Sequence, residues 1–129
     1  MESEAVFNIL HISKKNNYEI IGSPALQLEI EQIDNMEKRD KIMYLYNQTI
    51  TKKVEYTERI FKRVKELSVQ TKIKTLDSFH LAFSEYSNAD YLLTTDNRFE
   101  KACFKMNLKV SVINPVKFLM EVIQNDFTT

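Results

Sequence analysis

The sequence predicts an α/β domain in which a parallel sheet is covered by helices, and three observations predict it. Short apolar runs of strand character are separated by stretches of helical periodicity, the order that a parallel sheet requires. Helix-start chemistry stands at the junctions (Ser23–Pro24, Thr57, Thr75, Asn114–Pro115), although the chain has only one Gly and two Pro to punctuate it. With 129 residues and 43% hydrophobic content the chain can bury one core and is too short for two ordinary ones, so a single domain over 1–129 is expected.

The elements follow in order. Ala5, Val6, Ile9 and Leu10 recur at helical spacing within residues 3–14, and "YEIIGS" at 18–23 reads as a short buried strand ended by the only glycine. Ser23 is placed as N-cap and Pro24 as first helical residue of a helix through "ALQLEIEQI", which carries Glu29. Residues 36–48 form the next helix, and the charged "TITKKVEYT" at 49–57 suits a strand at a sheet edge. Thr57 caps a helix whose Ile60, Phe61, Val64 and Leu67 make one stripe, with Arg59, Lys62, Arg63 and Lys65 around its other faces. Thr75 caps another, with Leu76, Phe79, Ala82, Phe83 and Tyr86 as its core face. "YLLTT" at 91–95 is a continuous apolar strand, 97–106 a helix, "KVSVI" at 109–113 a strand, and "NPVKFLMEVIQ" a capped terminal helix. No internal repeat, low-complexity tract or linker interrupts the series.

Composition excludes several functions. Lys plus Arg (18) equal Asp plus Glu (18), so no global basic field draws the chain to nucleic acid or membrane, and any phosphate contact must be local. The only cysteine, Cys103, rules out an intrachain disulfide and a thiolate zinc site, and reads as a small buried hydrophobe in a reducing compartment. No apolar run approaches the ~18 residues of a membrane span, and the acidic opening "MESEAVFNIL" lacks a signal peptide's positive flank. A soluble cytoplasmic protein is expected.

In parallel sheets ligands sit beyond the carboxyl ends of the strands, where helix N-termini also gather. Asp96 directly follows "YLLTT", Asp77 lies two residues after the Thr75 cap, and Glu29 is in the second turn after "YEIIGS". All three are expected in one crevice, with carboxylates within about 10 Å of one another, close enough to share hydrated divalent ions. Carboxylates clustered without a cation repel, and a hard divalent ion offsets the repulsion. Magnesium or manganese suits an all-oxygen site completed by water and substrate phosphates, and the matching reaction is attack of metal-activated water on a phosphodiester.

Each residue also has a structural reading. Asp77 and Glu29 stand where the helix macrodipole favours acids, and Asp96 can serve as the N-cap after its strand. His80, one turn after Asp77, has no second His or Cys to support a transition-metal site and reads better as a hydrogen-bonded structural histidine; His11 carries less signal. The basic groups on the 57–70 helix read as a solvated face before an RNA contact. Thr95 and Arg98 flank Asp96 and either orient a water or phosphate or make local turn contacts.

At these residues the chain resembles a family. "LDSFHLAFSEYSNADYLLTTDNRFEKACFKMNLKVSVINPVKFL" is similar to the C-terminal half of a PIN domain, in which a helix beginning Asp-x-x-His-Leu-Ala precedes a strand ending Thr-x-Asp-x-x-Phe, then a helix, a last strand and Asn-Pro. "SPALQLEIEQI" resembles the family's helix with a metal-directed glutamate, which places Glu29 there, and the resemblance runs through residues 3–119. It implies a three-layer sandwich, a magnesium- or manganese-dependent ribonuclease, RNA as substrate, and often the toxin role in a bacterial toxin–antitoxin pair, with an antitoxin protein as partner. Carried over by position, it implies Glu29, Asp77 and Asp96 as metal ligands or activators of the attacking water.

The sequence departs from the family in one respect. PIN domains begin with a central strand ending in a metal-binding Asp, whereas here neither Glu2 nor Glu4 follows an apolar run, and the chain is expected to lack that strand and its acid. A form so truncated has a depleted site. The gap is expected to close either by direct pairing of 18–22 with 91–95 or, as favoured here, by self-association into a homodimer. The alternative function is a non-catalytic PIN-like module that binds a partner protein or its own duplicate. A receiver-like phosphorylation domain fares worse, because no strand-terminal phosphoacceptor Asp stands beside an acidic pair.

Overall fold

The computed structural model describes residue 13 and residues 15–128, with side chains as far as Gln124. Of the helix expected over 3–14 only Ser13, which is helical, is described; Glu2, Glu4 and His11 lie outside the described residues. The chain divides into two compact units, Glu19–Ala89 and a second made of the described parts of Met1–Tyr18 and Asp90–Thr129.

The first unit runs β1 (Ile21–Gly22), α1 (Pro24–Glu31), α2 (Met36–Thr49), β2 (Lys52–Lys53), α3 (Glu58–Gln70) and α4 (Thr75–Tyr86). β1 and β2 are parallel, with Ile21 opposite Lys52 and Gly22 opposite Lys53. Ser23, in extended conformation, accepts from the Leu26 N–H at 3.1 Å and starts α1 with Pro24 in its first turn. Asn35 caps α2 by accepting from the Lys38 N–H at 3.0 Å, and Thr57 caps α3 from the Ile60 N–H at 3.4 Å.

The single glycine of the sequence sits directly beneath two side-chain tips. A Cβ on Gly22 would stand 2.5 Å from Ile50 Cδ1 and 2.6 Å from the Tyr46 hydroxyl oxygen, so the end of α2 and the residue after it press directly on the strand. The Tyr46 hydroxyl donates to the Ser23 carbonyl at 3.5 Å, and burial pushes this phenol above its usual range.

The core of this unit gathers Ala25, Val54, Ile60, Val64, Ala82 and Phe83, with Ile21, Leu76 and Phe79 packed against it. Ile60, Val64 and Leu67 bury as their spacing predicts, but Phe61 is 41% exposed. It lies one residue, about 100° of helix rotation, from Ile60, and its ring rests instead beside Tyr56 and under the Lys65 ammonium, 4.5 Å from the centroid. On α4 the buried set is Ser78, Leu81, Ala82 and Phe83, and Tyr86 at the helix end is 48% exposed rather than in the core. Arg63 ties α3 to α4 by a bidentate pair with Glu85, Nε to Oε1 at 2.8 Å and Nη2 to Oε2 at 3.1 Å, while its Nη1 meets Glu66 at 3.1 Å. The Glu85 bonds raise the guanidinium's affinity for its proton against the opposing effect of burial. One of the predicted solvated basic groups is thus part of the packing.

Thr75 does not cap α4. Lys74 occupies the cap position with no side-chain hydrogen bond, and Thr75 is the first helical residue. The extended loop enters the helix one residue earlier than the hydroxyl signal predicted. At the other end Asn88 takes a left-handed conformation (φ 58°), and the N–H groups of Asn88 and Ala89 donate back to Glu85 and Ser84. Asparagine does here what glycine commonly does at a helix end.

The second unit runs β3 (Tyr91–Leu93), α5 (Asn97–Phe104), β4 (Ser111–Ile113) and α6 (Pro115–Thr128). β3 and β4 are parallel, in register Tyr91 to Ser111, Leu92 to Val112 and Leu93 to Ile113. Phe118 and Val122 of α6 form a cluster with Tyr18, Leu93, Ile113 and Leu119, and Tyr91 packs edge-on against Phe118 at 4.8 Å between centroids. Phe99 and Cys103 are the buried residues of α5, in line with the reading of Cys103 as a core hydrophobe. Glu100 accepts from the Asn114 N–H at 2.7 Å and from Lys117 Nζ at 3.0 Å, which pins the start of α6 to α5.

The expected α/β class and parallel pairing are therefore present, in a mostly helical chain. The strands are shorter than 18–22, 49–57, 91–95 and 109–113, and among the described residues they form two ladders, β1–β2 and β3–β4. No described helix is long and apolar enough to cross a membrane.

Candidate functional site

Asp77 is the third residue of α4, half-buried, in the first turn where the helix dipole favours a carboxylate. One turn further along stands His80, whose side chain is only 12% exposed. Its Nε2 lies 3.0 Å from Oε2 of Glu29, on α1. Residues three apart on a helix share a face, with Cβ atoms about 5–6 Å apart. The bond therefore fastens the Glu29 carboxylate to the residue one turn beyond Asp77. Glu29 itself is 57% exposed and flanks the buried Ile30, which anchors its turn of α1.

Asp96 belongs to the second unit, where it is the N-cap of α5. Its Oδ1 accepts from the Arg98 N–H at 2.9 Å and the Phe99 N–H at 3.2 Å, and its own N–H donates to Thr94 Oγ1 at 3.1 Å. The structural reading of Asp96 is therefore realised. The hydroxyl that supports it is that of Thr94, where the sequence pointed to Thr95, and Arg98 contributes its backbone N–H. The side chains of Thr95 and Arg98 are exposed.

Glu29 and Asp77 thus lie in one unit, on two helices joined through His80, and Asp96 lies in the other. Among the described residues no group of three His, Cys, Asp or Glu side chains is arranged to hold a metal ion. The two first-unit carboxylates nevertheless suit magnesium or manganese in kind. Both are hard oxygen donors, and such ions are held through one or two carboxylates, with water and substrate phosphates completing the shell.

The reading of His80 as a hydrogen-bonded histidine holds, but sequence reasoning missed that its partner is one of the candidate acids. The available signal was the three-residue spacing from Asp77. No local pattern links His80 to a glutamate 51 residues away.

Short parallel strands joined through helices, with Asp77 in the first turn of α4 and Asp96 as the N-cap that follows β3, define an α/β protein of the kind that assembles polar sites at strand ends. Residues 3–105 match the family model of the PIN domain, and the chain belongs to the PIN domain family. PIN domains are in general nuclease-type domains that depend on divalent metals. No curated protein and no solved structure matches the chain.

Proposed function

We infer that the chain is a divalent-metal-dependent ribonuclease, with Glu29, Asp77 and Asp96 as its metal-directed carboxylates. The observation that supports this most is the bond between Glu29 and His80, which ties one candidate carboxylate to the helix bearing another within a chain of the PIN family. A bound magnesium or manganese ion supplies Lewis acidity and a water of lowered pKa for attack on a phosphodiester. Glu29, with Oε2 engaged by His80, keeps Oε1 for the ion or its water, and Asp77 holds a carboxylate on the adjoining helix. Asp96, with Oδ1 engaged at the cap, keeps Oδ2; Thr95 and Arg98 flank it for contact with a phosphate. Because the net charge is zero, contact with RNA is local.

The rest of the reading follows the family. It takes residues 1–129 as one PIN-type domain, a three-layer sandwich, of which the family model matches residues 3–105. The partners are RNA, an antitoxin protein in a toxin–antitoxin pair, and a second copy of the chain that pairs with it as a homodimer. The location is the cytoplasm.

Incubation of the purified chain with single-stranded RNA and magnesium or manganese, with and without chelator, tests the activity. Cleavage that requires the metal and is lost in Asp77→Asn supports it. A second reading, a non-catalytic protein-binding module, is favoured by the lack of a three-donor group among the described residues. Absence of metal-dependent cleavage would select it.

A further inference from the structure

We propose that Tyr56 and Phe61, with Lys62 and Lys65, form a holding surface for single-stranded RNA on the first unit. Tyr56 offers its ring face to an unpaired base, and the two lysines take adjoining phosphates. This rests on the ribonuclease reading and deepens it by saying where the substrate strand is held apart from the carboxylates.

Tyr56 is 52% exposed and Phe61 41% exposed, although large aromatic side chains dominate protein cores. Both rings are held in place. Tyr56 packs against Phe61 with centroids 6.4 Å apart and against Phe79 of α4 at 6.3 Å, and Phe79 meets the buried Phe83 at 6.3 Å. The exposed ring is thus backed by the core of the unit, and a base that stacks on it meets a side chain whose rotamer is already ordered.

The charge beside the rings suits a polyanion. Residues 52–74 carry eight of the chain's 18 Lys and Arg and only three of its 18 Asp and Glu, so the basic groups of a neutral chain concentrate here. Lys65 is exposed and its Nζ stands 4.5 Å from the Phe61 centroid; Lys62, the residue after Phe61, is exposed too. Among the described residues neither has a carboxylate partner, whereas Arg63 is engaged by Glu85 and Glu66. A ring holds an ammonium without cancelling its charge. Open aromatic faces beside unneutralised cations are what sequence-tolerant recognition of a single strand uses, since every base has a stacking face and every linkage a phosphate. A duplex keeps its bases stacked on one another, and an acidic protein segment brings charge without flat faces.

The contact between the two rings has a structural rival role. Tyr56 precedes the Thr57 cap and Phe61 is the fourth residue of α3, the spacing of a hydrophobic staple that fixes the entry of a helix. A staple needs apolar volume but neither an aromatic face nor a cation, so substitution separates the two roles.

The test is fluorescence anisotropy of a labelled oligouridylate of about 10 nucleotides, titrated with the full chain in chelator so that binding is read without cleavage. The wild type, Tyr56→Leu, Tyr56→Trp and the Lys62→Gln/Lys65→Gln double variant are compared, with a melting curve for each. Tyr56→Leu keeps the staple and removes the stacking face; it is expected to weaken binding by about 5–100-fold with the melting temperature preserved. Tyr56→Trp should bind at least as tightly as the wild type. The lysine variant should bind more weakly, with a slope of log affinity against log salt smaller by about 1.4, the value for two phosphate contacts on a single strand. Where Tyr56→Leu lowers the melting temperature, the lysine variant decides. Affinities of Tyr56→Leu and the lysine variant equal to the wild type's would overturn the surface, as would equal loss for a duplex of the same length on Tyr56→Leu. So would a dimer, seen by sedimentation, that Tyr56→Leu dissociates with RNA affinity unchanged, since the face would then join two copies of the chain. In each of these cases metal-dependent cleavage by the wild type still stands as its own result, so the surface falls alone; a wild type that neither binds nor cleaves RNA removes the ribonuclease reading and the surface with it.

Discussion

Glu29 on α1 and His80 on α4 meet at 3.0 Å, Oε2 to Nε2, across 51 residues of sequence. The contact selects one orientation of an exposed carboxylate from a mostly buried imidazole, one helical turn from Asp77. It gives the candidate site of this PIN-family chain a feature that its acids alone do not supply, and it bears on how each acid should respond to substitution.

Asp77→Asn is expected to remove nearly all metal-dependent cleavage of RNA, a loss larger than the roughly 10–100-fold that outer-shell partners of metal sites carry. The weakened interaction of its side chain with the start of α4 should cost about 0.3–1 kcal/mol of stability. Cleavage assays and urea unfolding of the same preparation measure both. Cleavage by Asp77→Asn at the wild-type rate would remove Asp77 from the chemistry.

Asp96 should separate its two roles by substitution. Asp96→Ala deletes the cap acceptor used by the Arg98 and Phe99 N–H groups and should destabilise the fold by about 1 kcal/mol. Asp96→Asn keeps a capping oxygen and should stay near wild-type stability. Loss of metal-dependent cleavage in Asp96→Asn would then report the carboxylate charge, and full retention would leave Asp96 as a cap alone.

Gly22→Ala should destabilise the first unit by roughly 1–3 kcal/mol, because the added methyl group meets Ile50 Cδ1 and the Tyr46 hydroxyl. The cost should fall when Ile50→Val, which removes that Cδ1, or Tyr46→Phe, which removes that oxygen, is combined with it. Thermal unfolding of the single and double variants measures the coupling. Strict additivity would mean that the strand, rather than these side chains, gives way.

Acid should loosen the junction of α5 and α6. Burial pushes the Glu100 carboxyl up, but the Lys117 ammonium, the Asn114 N–H and Lys101 outweigh it and hold the group below its ordinary value of 4.5. A lowered pKa in the folded state means stability that is present above 4.5 and is lost as pH falls through the folded-state value. Glu100→Gln should therefore lower the melting temperature at neutral pH and shrink the difference from wild type as the solution is acidified below that range. A difference that grows on acidification would contradict the assignment.

Much of this protein was determined by its sequence at short range. The caps at Ser23 and Thr57, the Asn114–Pro115 start of α6, the Ile60, Val64 and Leu67 stripe and the burial of Cys103 all follow from bonds or periodicities that span a few residues, and all are found. The Asp-x-x-His-Leu-Ala and Thr-x-Asp-x-x-Phe patterns are equally local, which is why the family was legible before any coordinate. The tertiary structure decided what depends on the approach of distant segments. It paired β1 with β2 and β3 with β4, pressed Tyr46 and Ile50 onto Gly22, left Phe61 and Tyr86 at the surface, and brought Glu29 to His80. Hydrophobic periodicity specifies which face of an element turns inward, but not which distant element it meets or where its edge ends. Those are set by loop closure and by the shape of the surfaces that pack, and the partner of an exposed carboxylate emerges only once two helices have docked.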